Sequence, residues 1–244
     1  MTQLRIGLLT SLMFTVLCLG FADAAKADTI TLNAIDSGNY DDSGTHSAAF
    51  KGYAAGVGSS FALRNFFVFD LSGVMPGTVT GATLRLFNPA LGFRSSEPPP
   101  EATFTLFDVV TPVADLRASY PFLSLKGFAI FTDLGRGAVY GSRVVSPADN
   151  DTVISFSLNA AALSDLNAAR GLFAVGGRIV PDSVEGTLRA IFNGTTGAPG
   201  QTRQLVLEAQ PVPEPATMLL LGTGLAGVAA KVNRRRKAGK SKNA

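Results

Sequence analysis

One stretch decides the fold expected for this chain: Phe61-Ala62-Leu63-Arg64-Asn65-Phe66-Phe67-Val68-Phe69-Asp70. Its second half is an almost unbroken apolar run in which three of four residues are phenylalanine. A strand with one solvated face alternates apolar and polar residues, whereas a strand covered on both faces does not. The stretch therefore predicts a central β-strand with a layer of protein on each side.

Further strands are predicted on both sides of this central one, since apolar residues recur at alternate positions in short runs bounded by turn residues. Those predicted strands are Thr29–Ile35, Ala82–Phe87, Ala102–Val110, Thr152–Leu158, Leu172–Val180, Thr187–Phe192 and Arg203–Ala209. The secondary structure of Asp115–Gly141 is ambiguous from its sequence pattern, and Phe128–Phe131 within it is interpreted as one more short strand. Asp36–Ser60 is rich in Gly, Ser, Asp and Ala, and is interpreted as a long loop or hairpin.

A single short helix is expected at Asn159–Ala169, with Asn159 as its N-cap and Gly171 as its stop signal. About nine strands, one helix and turns rich in Gly and Pro predict an all-β protein of the β-sandwich type. Because no internal repeat is visible, residues 28–210 are predicted to form one such ectodomain.

The N-terminus has the pattern of a secretory signal peptide. Arg5 supplies the positive charge, Ile6–Phe21 is the apolar stretch, and Ala25-Lys26-Ala27 offers a cleavage site, which predicts a signal peptide at residues 1–27. The only cysteine, Cys18, lies inside that stretch. The mature protein therefore has neither a disulfide framework nor a thiolate metal site.

The C-terminus has three zones in a fixed order. Pro213 and Pro215 flank Glu214 and favour an extended, accessible peptide. The uncharged run Ala216–Ala230 would span about 22 Å as a helix, and extension to Val232 brings it closer to the ~30 Å of a bilayer core. The basic residues that follow predict a cytoplasmic end, so the ectodomain lies on the other side of the membrane.

These three zones resemble the PEP-CTERM sorting signal of Gram-negative bacteria. The resemblance identifies Val212, Pro213, Glu214 and Pro215 as the sorting motif and Arg234, Arg235, Arg236 and Lys237 as the basic cluster that stops transfer. It implies a sorting signal at residues 211–236, a single transmembrane helix within it, and a basic cytoplasmic tail at 237–244. It also implies processing by a membrane-embedded exosortase, after export by the Sec translocon and transient residence in the inner membrane.

The charge of the chain is divided unevenly between the ectodomain and the ends. Residues 28–213 hold twelve basic and sixteen acidic side chains, a net charge of −4, although the whole chain is +3. The ectodomain has no basic run, so nucleic acid is not expected as a partner.

A second resemblance concerns the ectodomain. Arg64–Ser72 and Val79–Leu86 are similar to the core of DNRLRE-type and related carbohydrate-binding-like jelly rolls. The resemblance implies a jelly-roll-like sandwich and an association with polysaccharide. The chain departs from that pattern where a tryptophan often follows the strand at Phe104–Val109, because it has no tryptophan.

Few residues suit catalysis or metal binding. His46 is the sole histidine, stands in a Gly/Ser-rich stretch and is interpreted as an exposed loop residue, which also argues against zinc. Carboxylates that a glycosidase could pair are Asp70, Asp108, Asp133 and Glu185, though no spacing singles out two of them. Four oxygen-bearing residues are candidate calcium ligands: Asp36, Asn39, Asp41 and Asp42. No other cofactor is expected.

The function expected from these features is that of a non-enzymatic, exported surface or extracellular-matrix protein. An exosortase would process it at its C-terminal sorting signal, and it would associate with exopolysaccharide in a biofilm. The alternative is a secreted polysaccharide-active hydrolase that uses paired carboxylates. In a third hypothesis the C-terminal tail is not cleaved, and the protein stays permanently anchored at the surface.

Overall fold

The computed structural model describes residues 28–58, 61–181, 187–210, 222–225, 227–228 and 231. Ala27–Gln210 forms one compact unit, and Met1–Lys26 with Pro211–Ala244 forms another. The predicted signal peptide, the motif Val212–Pro215, the basic cluster Arg234–Lys237 and the tail 237–244 lie outside the described residues. In the described part of the chain, no helix has both the length and the apolar character needed to cross a membrane.

Twelve strands are described, all in the larger unit. They are β1 Asp28–Asn33, β2 Asp36–Asp41, β3 Ala55–Val57, β4 Ala62–Asp70, β5 Val79–Asn88, β6 Arg94–Ser95, β7 Ala102–Asp108, β8 Val139–Val145, β9 Thr152–Ser157, β10 Leu172–Val180, β11 Arg189–Ile191 and β12 Arg203–Ala209. Three short helices accompany them: α1 Val113–Leu116, α2 Leu125–Asp133 and α3 Ala160–Ala168, with a 3₁₀ turn at Pro147–Asp149.

The strands form two antiparallel sheets. The smaller sheet has the order β1-β12-β5-β9, and the larger one has the order β6-β11-β3-β4-β10-β7-β8, with β2 also paired to β4. Side chains from both sheets meet in one large apolar core, which includes Leu84, Phe156 and Leu205 from the smaller sheet and Phe104 and Val175 from the larger. The predicted all-β sandwich is therefore confirmed.

Strand β4 has protein on both faces, as its sequence predicts. Phe67 and Phe69 point into the core between the sheets. Phe66 and Val68 point the other way, into a second core that α1 and α2 cover. Neighbouring strands complete its surroundings, since β2 pairs with one edge of β4, and β3 and β10 pair with the other.

Helix α3 agrees with its predicted position. The Asn159 side chain accepts hydrogen bonds from the backbone N–H groups of Ala161 and Ala162, which satisfies two donors of the first turn. Gly171 has φ +81°, which suits a residue that ends such a segment. Ala162 and Leu166 bury one face of the helix against the sandwich core.

Two expectations about secondary structure are wrong. Phe128–Phe131 belongs to α2 and not to a strand: the Ser124 side chain caps this helix by accepting from the N–H of Gly127, and Ile130 and Phe131 are buried on one face. The stretch Asp36–Ser60 is not simply a loop, because Asp36–Asp41 pairs with Leu63–Val68 of β4. A long-range partner outweighs the weak strand preference of Asp, Gly and Asn here.

Candidate functional site

The structure has a cleft of about 370 Å³ where two charged side chains meet an apolar surface. We call it the acidic cleft. It is lined by Asp108, Val109, Val110, Tyr140, Asp165, Ala168, Ala169 and Phe173. This volume lies within the range of small-molecule sites in proteins.

Four elements bring these residues together. Asp108 ends β7, and β7 pairs with β8 on one edge and β10 on the other, which supply Tyr140 and Phe173. The register of β7 against β8 shifts next to Tyr140, because Phe107 faces Val139 and Leu106 faces Gly141. Tyr140 is thus the extra residue of a β-bulge, a feature that redirects a side chain. Helix α3 contributes Asp165 from its exposed side.

Tyr140 forms the floor of the acidic cleft. Its ring is 2% exposed and lies nearly parallel to that of Phe173, with 6.1 Å between the ring centroids and 13° between the planes. Its hydroxyl donates a hydrogen bond of 2.7 Å to a carboxylate oxygen of Asp165. Burial, followed by this bond, raises the pKa of Tyr140, so the phenol stays protonated and holds the carboxylate in place.

Asp108 differs from Asp165 in its surroundings. Burial raises the pKa of Asp108, and the nearby negative charges of Asp133 and Asp165 raise it further. One of its carboxylate oxygens is buried without a hydrogen-bond partner. This oxygen lies against Gly137, where a Cβ atom would collide with it and where φ is +93°. Only glycine fits at position 137 with this carboxylate in place.

The acidic cleft has the chemistry of a hydrogen-bond acceptor beside an apolar wall. No lining residue is basic, and two carboxylates line it. Carboxylates accept hydrogen bonds from hydroxyl groups, while Val110, Ala168 and Ala169 offer an apolar surface next to them. A polyhydroxylated ligand with one apolar face, such as a sugar ring, matches this combination.

The four predicted catalytic carboxylates do not meet at one place. Asp108 lines the acidic cleft, and Asp133 lies near it but accepts hydrogen bonds from the N–H groups of Val110 and Thr111. Asp70 ends β4 and accepts from the N–H of Ser72, as a turn residue does. Glu185 lies outside the described residues. Sequence reasoning missed Asp165, because only the packing of α3 beside β8 brings it to Asp108 and Tyr140.

The fold does not bring the predicted calcium ligands together. Asp36 and Asp41 begin and end the extended strand β2, which separates their Cα atoms by about 16 Å. Calcium ligands must lie within about 2.6 Å of the ion, so these two carboxylates cannot share one. Asn39 donates its amide to the carbonyl of Ala54, and Asp42 is exposed. Among the described residues, no group of three or more acidic, histidine or cysteine side chains is arranged to hold a metal.

Asp36 instead forms a buried ion-pair centre. Its side chain is 2% exposed and contacts Nζ of Lys51 at 2.7 Å and Nε of Arg117 at 2.5 Å. The pKa of Asp36 is lowered overall. Burial is the largest single influence and raises it, but the interactions with Lys51 and Arg117, together with the N–H of Ser37, lower it by more. This centre connects the start of β2 to the end of α1.

The interpretation of His46 as an exposed loop residue is also wrong. Its side chain is buried, and its Nδ1 lies 2.8 Å from the carbonyl oxygen of Asn39. The ring stacks on Tyr40, with 4.4 Å between centroids. Tyr40 itself is fully buried and donates its hydroxyl to the carbonyl of Leu116. These aromatic residues pack inside the protein and do not form a surface for stacking on sugars.

Residues 211–236 match the family model for the PEP-CTERM protein-sorting motif. The predicted sorting signal is therefore confirmed over this range. The motif marks an exported protein whose C-terminal sorting signal is membrane-anchored and is processed by an exosortase. No curated protein matches the chain.

Proposed function

We propose that this protein is a non-enzymatic component of the cell surface or extracellular matrix that associates with exopolysaccharide after exosortase processing. The observation that carries the proposal is the sorting motif at 211–236, placed directly after a compact β-sandwich that ends at Gln210. Such an arrangement delivers a folded domain to the outside and then removes its anchor. The jelly-roll-like resemblance of Arg64–Ser72 and Val79–Leu86 points to polysaccharide as the partner.

The acidic cleft supports this partner and is the binding site that we propose for it. Its carboxylates suit hydroxyl donors, and its apolar wall suits the less polar face of a sugar ring. The ectodomain carries a net charge of −4, which disfavours polyanions and favours neutral or cationic polysaccharides.

Mass spectrometry of the mature C-terminus, combined with cell fractionation, tests the processing step. We expect a protein in the medium or matrix that lacks the basic residues Lys231–Lys242, and an unprocessed membrane form when Pro213, Glu214 and Pro215 are replaced by alanine. An intact tail on the extracellular protein would contradict processing and favour the permanently anchored form.

Co-sedimentation of the processed protein with exopolysaccharide from the producing cells tests the binding step. We expect Tyr140→Phe and Asp165→Asn to weaken binding about tenfold, which is what loss of an interaction with a charged hydrogen-bond partner costs. Asp151→Asn is the matched control: it makes the same charge change at an exposed residue outside the acidic cleft, and its φ of +57° suits asparagine. Equal binding by all variants would remove the cleft from the proposal.

A secreted polysaccharide hydrolase is the second candidate, favoured by the unlike surroundings of Asp108 and Asp165. A carboxyl with a raised pKa is suited to act as general acid, and a second, oriented carboxylate to act as base or nucleophile. Turnover of the polysaccharide that is abolished by Asp108→Asn and by Asp165→Asn would establish this function. Binding without turnover would reject it.

A further inference from the structure

His46 stands between the large sheet and the helices that cover it. We call α1, α2 and residues 117–124 between them the helical layer. The imidazole is 6% exposed, and it lies flat on Tyr40 of β2 and edge-on to Phe66 of β4. As the sole histidine of the chain, it is the one side chain whose unperturbed pKa lies between about 5 and 8.

The backbone of His46 holds the helical layer directly. Its N–H donates to the carbonyl of Tyr120 at 3.1 Å, and the N–H of Tyr120 donates back at 2.9 Å. Two further bonds lie beside this bridge, from the N–H of Ala48 to the hydroxyl of Ser119 and from Tyr40 to the carbonyl of Leu116. One residue thus contacts the sheet through its ring and the helical layer through its backbone.

The packing around His46 leaves its ring little room to move. A Cβ atom on Gly38 would lie only 2.8 Å from Cε1 of the imidazole. On the other side of the loop, Gly44 and Gly127 approach so closely that a side chain on either would strike the other's backbone. The loop that carries His46 is therefore packed directly against the start of α2.

The charges near the ring do not favour an imidazolium. Burial is the largest influence and lowers the pKa of His46; the bond to the carbonyl of Asn39 comes next and raises it, the charge of Lys51 lowers it and that of Asp36 raises it, and the pKa is lowered overall. Asp36 is already paired with Lys51 and Arg117. Asp115 is paired with Lys126, and Arg64 donates to the carbonyl oxygens of Phe131 and Thr132. The other titratable and charged groups of β2, β4 and the helical layer are Tyr40, Asp41, Asp70, Tyr120 and Asp133.

We propose that His46 and its contacts form an acid-sensitive latch: with a neutral imidazole the helical layer is closed on the sheet, and protonation of the ring releases it. The sign follows from the lowered pKa. A group with a lower pKa in the closed state than in the open state binds its proton more readily when the layer opens. The closed state therefore loses stability as the pH falls below about 6.5, the value of a free imidazole.

Opening of the latch would change the surface of the protein. The second core lies under the helical layer and contains Phe66, Val68, Ile130 and Phe131. The outer side of the layer already exposes Phe122, Leu123, Leu125 and Phe128. Acidification would thus expose the second core next to apolar residues that are already on the surface.

Hydrogen exchange of the full-length chain in detergent micelles, read by mass spectrometry, tests the latch. After correction for intrinsic exchange, we expect peptides covering residues 113–133 to exchange about tenfold faster at about pH 5 than at about pH 7.5. Peptides of β5 and β12 should not change. Equal protection of residues 113–133 at both pH values would overturn the proposal.

Two variants locate the effect. His46→Gln removes the titratable group and should give exchange in residues 113–133 that is independent of pH, whereas Gly127→Ala should open the layer at every pH. A His46→Gln protein that keeps the wild-type pH dependence would overturn the proposal. If His46→Gln does not fold, an NMR titration of the wild-type imidazole decides: a pKa below about 6.5 is expected, and a pKa at or above that value would contradict the latch.

Discussion

The two faces of the large sheet are covered in different ways. The face toward the smaller sheet forms a core of twenty-seven buried apolar residues, and the face toward the helical layer forms one of eight, counted over the described residues. Buried polar groups also differ in kind. The buried acidic and basic side chains Asp36 and His46 border the smaller core, whereas the uncharged Asn65, Asn88 and Thr195 bond to Tyr53 and Phe192 of the larger core. The smaller core is therefore the one bordered by an ion pair and an imidazole, groups whose charge depends on pH.

The largest expected effect comes from opening a cavity in the larger core. Phe104 is fully buried there and contacts the rings of Phe156 and Phe192. Phe104→Ala should lower the free energy of unfolding by about 3–5 kcal/mol, because it removes apolar burial and leaves a void. Urea unfolding followed by circular dichroism measures this loss. Val153→Ala, on the exposed side of β9, should change stability by less than about 0.5 kcal/mol.

A cavity in the smaller core should have a more local effect. Ile130→Ala in α2 should cost about 2–4 kcal/mol, since Ile130 is buried against the sheet. We expect faster hydrogen exchange in residues 113–133 and little change in β5 or β12. Uniform loss of protection across both sheets would show that the two cores unfold as one unit.

The ion-pair centre at Asp36 makes the stability of the region around the smaller core depend on pH. Asp36→Asn should lower stability by about 1–2 kcal/mol, the lower part of the range for charged hydrogen bonds, because Lys51 and Arg117 are 38% and 43% exposed. The pKa of Asp36 is lowered on folding, so its contribution is fully present above about pH 4 and disappears as the pH falls through the lower folded value. The unfolding curves of the wild type and the variant should therefore differ at neutral pH and converge at acidic pH. A constant difference down to about pH 2 would contradict this role.

The smallest expected effect concerns α3, the helix that packs on the larger core. Asn159→Ala removes the N-cap and should cost about 1 kcal/mol in thermal or urea unfolding. Asn159→Asp retains the capping oxygen but loses the amide that donates to Val139, and it should recover part of the loss. If Asn159→Ala had no effect, the cap would contribute nothing beyond the burial of Ala162 and Leu166.

Sequence patterns were sufficient where the signal is local. The apolar run of β4 predicted a strand covered on both faces, and Asn159 predicted the start of α3. Sequence patterns were insufficient where the secondary structure of a segment depends on its contacts with distant parts of the chain. The stretch Asp36–Asp41 has weak strand preference but pairs with β4, and Phe128–Phe131 becomes helical because Ile130 and Phe131 pack on the sheet.

The candidate site was partly visible in the sequence. Asp108 was one of four carboxylates considered, but nothing in its neighbourhood pointed to Asp165 or to the bulge at Tyr140. Those residues are 57 and 32 positions away along the chain, and only the pairing of β7 with β8 and the packing of α3 bring them to Asp108.

The sequence by itself determined the central strand, the all-β class and the sorting signal at 211–236, because each depends on the order of neighbouring residues. Sorting motifs are recognised as linear peptides, so their meaning is complete without a fold. The tertiary structure alone decided the burial of His46, the pairing of Asp36 with Lys51 and Arg117, and the composition of the acidic cleft. Burial and ion pairing depend on contacts between distant segments, and these contacts exist only once the two sheets and the helical layer have packed together.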